Sequence, residues 1–217
     1  MADIYGTTWG DYLDGTDYAD NIYAYGGDDS IYANDGNDSV YAGDGDDYVD
    51  AWTGDDYVDG GAGDDYILGY DGNDTLDGWT GDDYINGEAG DDYILGYDGN
   101  DTLVGGSGSD EINGEYGDDI INGYGHTDYE YDQLTGGYGA DTFVLGDSWG
   151  AFYEGPGYAT IKDFDWTEGD KIQVYGSIDD YSLSEYNGGM DIYYQGDLIG
   201  YVENTTNVIA SLDFEFV

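Results

Sequence analysis

Aspartate returns at a fixed interval along most of this 217-residue chain, and two residues after each one stands an apolar side chain. The series is Asp11, Asp20, Asp29, Asp38, Asp47, Asp56, Asp65, Asp74, Asp83, Asp92, Asp101, Asp110, Asp119, Asp132 and Asp141. Carboxylates are hard oxygen donors, and the chain offers almost nothing to answer their charge. Fifty-one acidic residues face two basic ones, Lys162 and Lys171, for a net charge of −49. Such a balance usually marks a disordered, self-repelling chain. Here 39 % of residues are apolar and 17 % aromatic, 27 of them Tyr, which is too rich for a disordered polyanion. The acids are also spread evenly rather than blocked. A cation that the sequence does not itself supply is the simpler reading.

The interval is a repeat, and repeats come before secondary structure. Gly6 to Val144 divides into fifteen units, fourteen of nine residues and one, Gly123–Thr135, with four more. Position six is Asp in every unit. Position eight is always apolar: Leu13, Ile22, Ile31, Val40, Val49, Val58, Ile67, Leu76, Ile85, Ile94, Leu103, Ile112, Ile121, Leu134 and Phe143. Position four is Gly in twelve units, and AGDDYILGYDGNDTL occurs twice, as Ala62–Leu76 and Ala89–Leu103. Glycine permits positive φ and close backbone approach, so the first six residues of a unit are predicted to form a tight turn. The last three, such as Tyr66-Ile67-Leu68, then form a short strand with its middle residue turned inward. One such strand cannot stand alone. Two units make an 18-residue coil of a parallel β-solenoid, whose stacked coils bury a narrow core of Ile, Val and Leu.

Gly60-Gly61-Ala62-Gly63-Asp64-Asp65-Tyr66-Ile67-Leu68 resembles, at every fixed position, the G-G-x-G-x-D-x-U-x nonapeptide of the RTX (repeats-in-toxin) family, the hemolysin-type calcium-binding repeats. The resemblance implies an all-β fold, a right-handed parallel β-roll of 18-residue coils with a C-terminal β-rich cap. It also implies multiple structural Ca2+ ions between the turns of successive coils. Carboxylates at position six and carbonyls of the Gly-rich turns would be their ligands, so the fifteen Asp named above take that role. Trp9 and Tyr18 replace Gly at position four of the first two units, and the four extra residues distort the fourteenth. Stacking puts the motif Asp in two columns. Neighbouring carboxylates at coil spacing repel by about 0.9 kcal/mol each even in water, and the columns together by about 11 kcal/mol, comparable with the whole stability of a domain. All-oxygen ligands in flexible loops favour calcium over zinc or copper, and magnesium's strict octahedron disfavours it.

The domain organisation expected is an N-terminal edge strand over 1–5, the roll over 6–144 and a cap over 145–217. Thr160-Ile161-Lys162-Asp163-Phe164 with Gly169-Asp170-Lys171-Ile172 resembles the segment that closes the last coil in RTX proteins. Leu212-Asp213-Phe214-Glu215-Phe216-Val217, acidic then apolar, resembles a type I secretion signal. The opening MADIYGTTWGD has neither the basic nor the apolar region of a signal peptide. These features point to a secreted protein, extracellular or associated with the cell surface. Ile4 falls in phase with the core positions, so the N-terminal end is expected to be an open solenoid edge, which invites a homo-oligomer or a head-to-tail filament.

The same residues bound the function. Almost nothing here could neutralise phosphates, which excludes nucleic acid as a direct partner. No apolar run approaches the length of a bilayer span. Cysteine is absent, so there is no disulfide or thiolate site. Gly146-Asp147-Ser148-Trp149-Gly150 matches the G-x-S-x-G nucleophile pattern, but that elbow needs a strand–turn–helix and a later His, and the single His126 precedes it. The chain therefore reads as a non-enzymatic structural or adhesive calcium-binding protein. The alternatives are an ice-binding RTX protein, although position three (Thr8, Asp17, Gly26, Asp35, Asp44) is no threonine ladder, or the export and folding module of a type I-exported enzyme. Tyr48, Tyr66 and Tyr84, every 18 residues, should stack as a column, either as strand packing or as an exposed surface for assembly.

Overall fold

A computed structural model describes residues 1–125, 127 and 129–217; His126 lies outside the described residues. The strands fall where the repeat puts them. Units alternate between two sheets, so Asp3–Tyr5, Asn21–Tyr23, Ser39–Asp44 and Tyr57–Ala62 begin one, and Tyr12–Asp14, Ser30–Tyr32, Tyr48–Asp50 and Tyr66–Asp71 begin the other. Every ladder through the repeats up to Glu111–Tyr116 is parallel with an 18-residue offset, for example Asp3↔Asn21 and Ile67↔Ile85. Among the described residues the two sheets reach twelve and ten strands. The chain is a parallel β-roll.

Between the sheets lies the expected core. Ile22, Ile31, Val40, Ile67, Ile85, Ile112 and their equivalents to Phe143 are fully buried. A second inner column at position one is small: Ala24, Ala33, Ala42 and Ala51, then glycine from Gly60 onward.

One local expectation is corrected. Three-residue strands occur only in some coils, such as Asn21–Tyr23 and Tyr48–Asp50. From Tyr57–Ala62 to Glu111–Tyr116 the strands run six residues, covering positions seven to nine and one to three. The bend at position two does not interrupt the pairing. Tyr70, Trp79, Glu88 and Tyr97 have φ of 71°, 76°, 73° and 75°, which bends the chain without ending the ladder, so residues on both sides of the bend stay in register. Only positions four to six are left as turn.

Gly72 shows why position four needs glycine. Its φ is +148°, and a Cβ there would overlap the Gly54 carbonyl one coil earlier. Gly72→Val is therefore expected to destabilise the folded chain by about 3 kcal/mol or more, read as a lowered urea midpoint at saturating calcium.

After Val144 the sheets continue without the nine-residue interval. Ala159–Ile161 pairs in parallel with Gln133–Tyr138, and Lys171–Val174 pairs in parallel with Thr142–Val144. The first sheet then ends in an antiparallel meander of Asp197–Val202, Gly189–Tyr194 and Tyr181–Tyr186. The second ends with Phe214–Phe216, which belongs to the Leu212–Val217 segment that resembles an export signal. Gly146–Asp147 and Gly150–Ala151 make a two-stranded antiparallel hairpin with Ser148 at its tip, which is not the strand–turn–helix setting of a nucleophile elbow. At the opposite end, Asp3–Tyr5 and Tyr12–Asp14 each have one strand neighbour within the chain. Among the described residues no helix is long and apolar enough to cross a membrane.

Candidate metal centre

Each motif Asp stands at the last turn position, immediately before its strand, and the strand's core residue two places on fixes its phase. The structure brings all fifteen into two columns. One runs Asp11, Asp29, Asp47, Asp65, Asp83, Asp101, Asp119 and Asp141 beside the second sheet; the other runs Asp20, Asp38, Asp56, Asp74, Asp92, Asp110 and Asp132 beside the first. Within a column the backbone N–H of each Asp donates to Oδ1 of the next coil's Asp. The bond is 2.8 Å from Asp65 to Asp83, 2.8 Å from Asp74 to Asp92 and 3.0 Å from Asp119 to Asp141. All the carboxylates thus point back along their column in one sense.

Oδ1 is therefore satisfied and Oδ2 is not. In Asp29, Asp38, Asp47, Asp56, Asp65, Asp74, Asp83, Asp92, Asp101, Asp110, Asp119 and Asp141, Oδ2 is buried with no hydrogen-bond partner in the protein. These side chains sit deep, Asp65 at 2 % and Asp110 at 1 % exposure. A buried polar atom left unpaired is costly, and a charged one more so. Burial accordingly pushes the Asp65 carboxyl up to about 8 and that of Asp110 up to about 9, against the pull of the N–H bond; neighbouring carboxylates add a smaller push. Asp47, Asp56, Asp83, Asp92 and Asp119 are raised to about 7 for the same first reason. The sequence expectation placed the cost in mutual repulsion. The larger part comes from taking the carboxylates out of water.

The donor set fits a hard divalent cation. It consists of oxygen alone, anionic and unpartnered. Glycine at position one makes room for it, because a Cβ on Gly78 or Gly87 would overlap Oδ2 of Asp83 or Asp92. Among the described residues no three His, Cys, Asp or Glu side chains converge, so carboxylates alone do not fill a shell of about six to eight oxygens. Backbone carbonyls of the turns are the donors left to complete it.

Other features were not anticipated. Position five carries a second, exposed ladder running the opposite way: Asp82 N–H donates to Asp64 Oδ1 at 2.9 Å and Asn100 N–H to Asp82 Oδ1 at 2.8 Å. The run of Asp, Asn and Ser at that position from Asp28 to Asp118 was its signal. Asp170 joins the second-sheet column, accepting from Asp141 N–H at 3.1 Å; the Asp-x-Ile of Asp170-Lys171-Ile172 repeats the motif phase. Asp50 Oδ1 and Asp77 Oδ1, at position nine, are also buried and unpartnered.

A family model for the RTX calcium-binding nonapeptide repeat (4 copies) matches residues 5–40, 32–67, 59–94, 95–130 and 126–148. The chain belongs to the RTX calcium-binding nonapeptide repeat family. Repeats of this family bind calcium, and proteins that carry them are generally secreted. The buried Asp rows of this chain fit that chemistry. Among solved structures, a subunit of the Azotobacter vinelandii mannuronan C5-epimerase is similar at 16 % identity and a TM-score of 0.26, over 96 % of this chain and 80 % of that one. The extracellular lipase LipA of Serratia marcescens is similar at 16 % identity and a TM-score of 0.27, over 97 % of this chain. The match spans 40 % of the lipase's own length. Comparison with the curated proteins returned no match.

Proposed function

We propose that this RTX chain is an exported, non-enzymatic structural protein that folds on calcium outside the cell and presents aromatic columns for adhesion or self-assembly. The observation that carries the metal part is the two lines of buried, unpartnered Asp oxygens, which make cation binding part of folding rather than an addition to it. The fifteen motif Asp are the ligand candidates, with 6–144 as the calcium-dependent roll between an edge strand at 1–5 and a cap at 145–217. A chain that folds only with calcium stays unfolded where the ion is scarce. Extracellular modules bind it at about 10⁻⁴–10⁻³ M, which supports a secreted location, with the C-terminal Leu212–Val217 as the candidate export signal.

The outer surface supports the adhesive part. Tyr5, Tyr23 and Tyr41 stack at 5.5 and 5.1 Å, and Tyr48, Tyr66 and Tyr84 at 5.6 and 4.6 Å with planes within 11°. The second column was expected from its 18-residue spacing. A further pair of stacks, Trp52 on Tyr70 and Trp79 on Tyr97, occupies the left-handed corners at position two. Left-handed backbone costs an L-residue about 1–2 kcal/mol, and Gly43 and Gly61 take the same corner without it. Bulky rings held there, with Trp52 48 % and Trp79 44 % exposed, favour a use on the surface over packing alone. They favour association between copies of this chain.

Negative-stain microscopy with and without calcium tests this reading. Filaments or larger assemblies are expected at millimolar calcium and none after chelation. Folded monomers at high protein concentration with calcium would refute the assembly part.

A further inference from the structure

The fifteen units are not equivalent. Among the described residues, position two has positive φ in twelve of them: Tyr25, Asn34, Gly43, Trp52, Gly61, Tyr70, Trp79, Glu88, Tyr97, Gly106, Glu115 and Gly137. Position four is a positive-φ glycine in the same twelve, from Gly27 to Gly139. These are the twelve units whose motif Asp has a buried, unpartnered Oδ2. The correspondence is one to one.

The other three units have Thr7, Thr16 and Tyr124 at position two, and in each a protein donor reaches Oδ2. Thr7 N–H donates to Asp11 Oδ2 at 2.6 Å. Thr16 donates to Asp20 Oδ2 through its N–H at 2.8 Å and its hydroxyl at 2.7 Å. Burial of Asp20 is outweighed by these bonds and the Ala2 N–H, and its carboxyl falls below the usual range, the reverse of the interior. Asp132 Oδ2 accepts from the hydroxyl of Tyr153, a fully enclosed residue of the C-terminal segment. Beyond Asp141 the second-sheet column closes likewise, because Asp170 Oδ2 accepts from Asp165 N–H at 2.7 Å.

The physical link is the corner. In left-handed units the position-two N–H is engaged elsewhere where its bond is seen, Gly137 with Asp163 Oδ2 at 2.9 Å and Glu88 with Asn86 Oδ1 at 3.2 Å, and Oδ2 is left bare. A β-branched threonine resists that conformation, and its N–H turns inward to serve the carboxylate instead. Donors at both ends then do what a cation does in the middle.

We propose that cations occupy only the twelve units with left-handed corners, and that Thr7, Thr16, Tyr153 and the Asp165 amide are built-in terminators of the two ion columns. Asp11, Asp20 and Asp132 are then hydrogen-bond acceptors rather than metal ligands. This rests on the metal reading given above and narrows it.

Calcium uptake by the full-length chain, counted by equilibrium dialysis, tests the assignment through Asn variants that keep Oδ1 and the shape. Asp74→Asn and Asp92→Asn are expected to lower the number of ions bound. Asp132→Asn and Asp20→Asn are expected to match the wild-type count, and circular dichroism checks that each variant is folded. The Asp20 variant lies at the column end, where any loss of structure stays local, so it decides the matter even where Asp132→Asn folds poorly. Loss of ions in Asp20→Asn equal to that in Asp74→Asn overturns the proposal while leaving the metal reading intact. A wild-type chain that binds no calcium overturns both.

Discussion

Chelation of calcium at neutral pH is expected to remove the β-roll altogether, not to loosen it. The far-UV circular dichroism of the chain with excess EGTA should be that of an unfolded polypeptide, and the cooperative thermal transition expected with millimolar calcium should be absent. The size of the effect follows from linkage. A ligand that binds only the folded state contributes about 2.7 kcal/mol per site at a hundredfold excess over its Kd. Over the sites that the bare Oδ2 atoms define, that exceeds the roughly 5–15 kcal/mol net stability of an ordinary domain. Without the ions, the buried carboxylates of Asp65, Asp83 and Asp110 have neither water nor counter-charge. A chelated chain with the spectrum and melting point of the calcium form would leave the bare oxygens without a cause.

Acid should partly replace calcium. In the ion-free roll, burial raises Asp38, Asp74, Asp101 and Asp141 to about 6 and Asp65 and Asp110 to about 8 and about 9. An unfolded Asp titrates near 4. The folded state therefore holds protons more tightly than the unfolded state. Its proton-linked stability is full below about pH 4 and is lost as pH rises through about 6 to 9. Acidifying the EGTA-treated chain from pH 8 to pH 5 should recover β structure by circular dichroism, with a midpoint between 6 and 8. With calcium present the sign reverses for binding, since protons and the ion compete for the same Oδ2 atoms, and calcium affinity should fall over the same range. Identical spectra of the chelated chain at pH 8 and pH 5 would contradict this.

Much of this was legible in the residues because the repeat is short and its chemistry local. Asp at position six and an aliphatic residue at position eight fix both the column and the core, so the two Asp lines and the Tyr48–Tyr66–Tyr84 stack followed from counting. Strand length did not, because the ladder continues through left-handed corners at Tyr70 and Trp79, a conformation aromatics ordinarily avoid. The closure of Asp132 by Tyr153 was hidden for another reason. The donor comes from beyond the repeats, where no period constrains it. The dominance of burial over repulsion was equally out of reach, since spacing reports distance between charges and not the water withheld from them.

Crystals grown in calcium and measured for anomalous scattering test the central claim most directly. Peaks of calcium strength are expected in two lines along the turns, beside the twelve bare Oδ2 atoms from Asp29 to Asp141 and not beside Asp132. Water-level density in those bends, or an Asp65 carboxylate turned out to solvent, would contradict it.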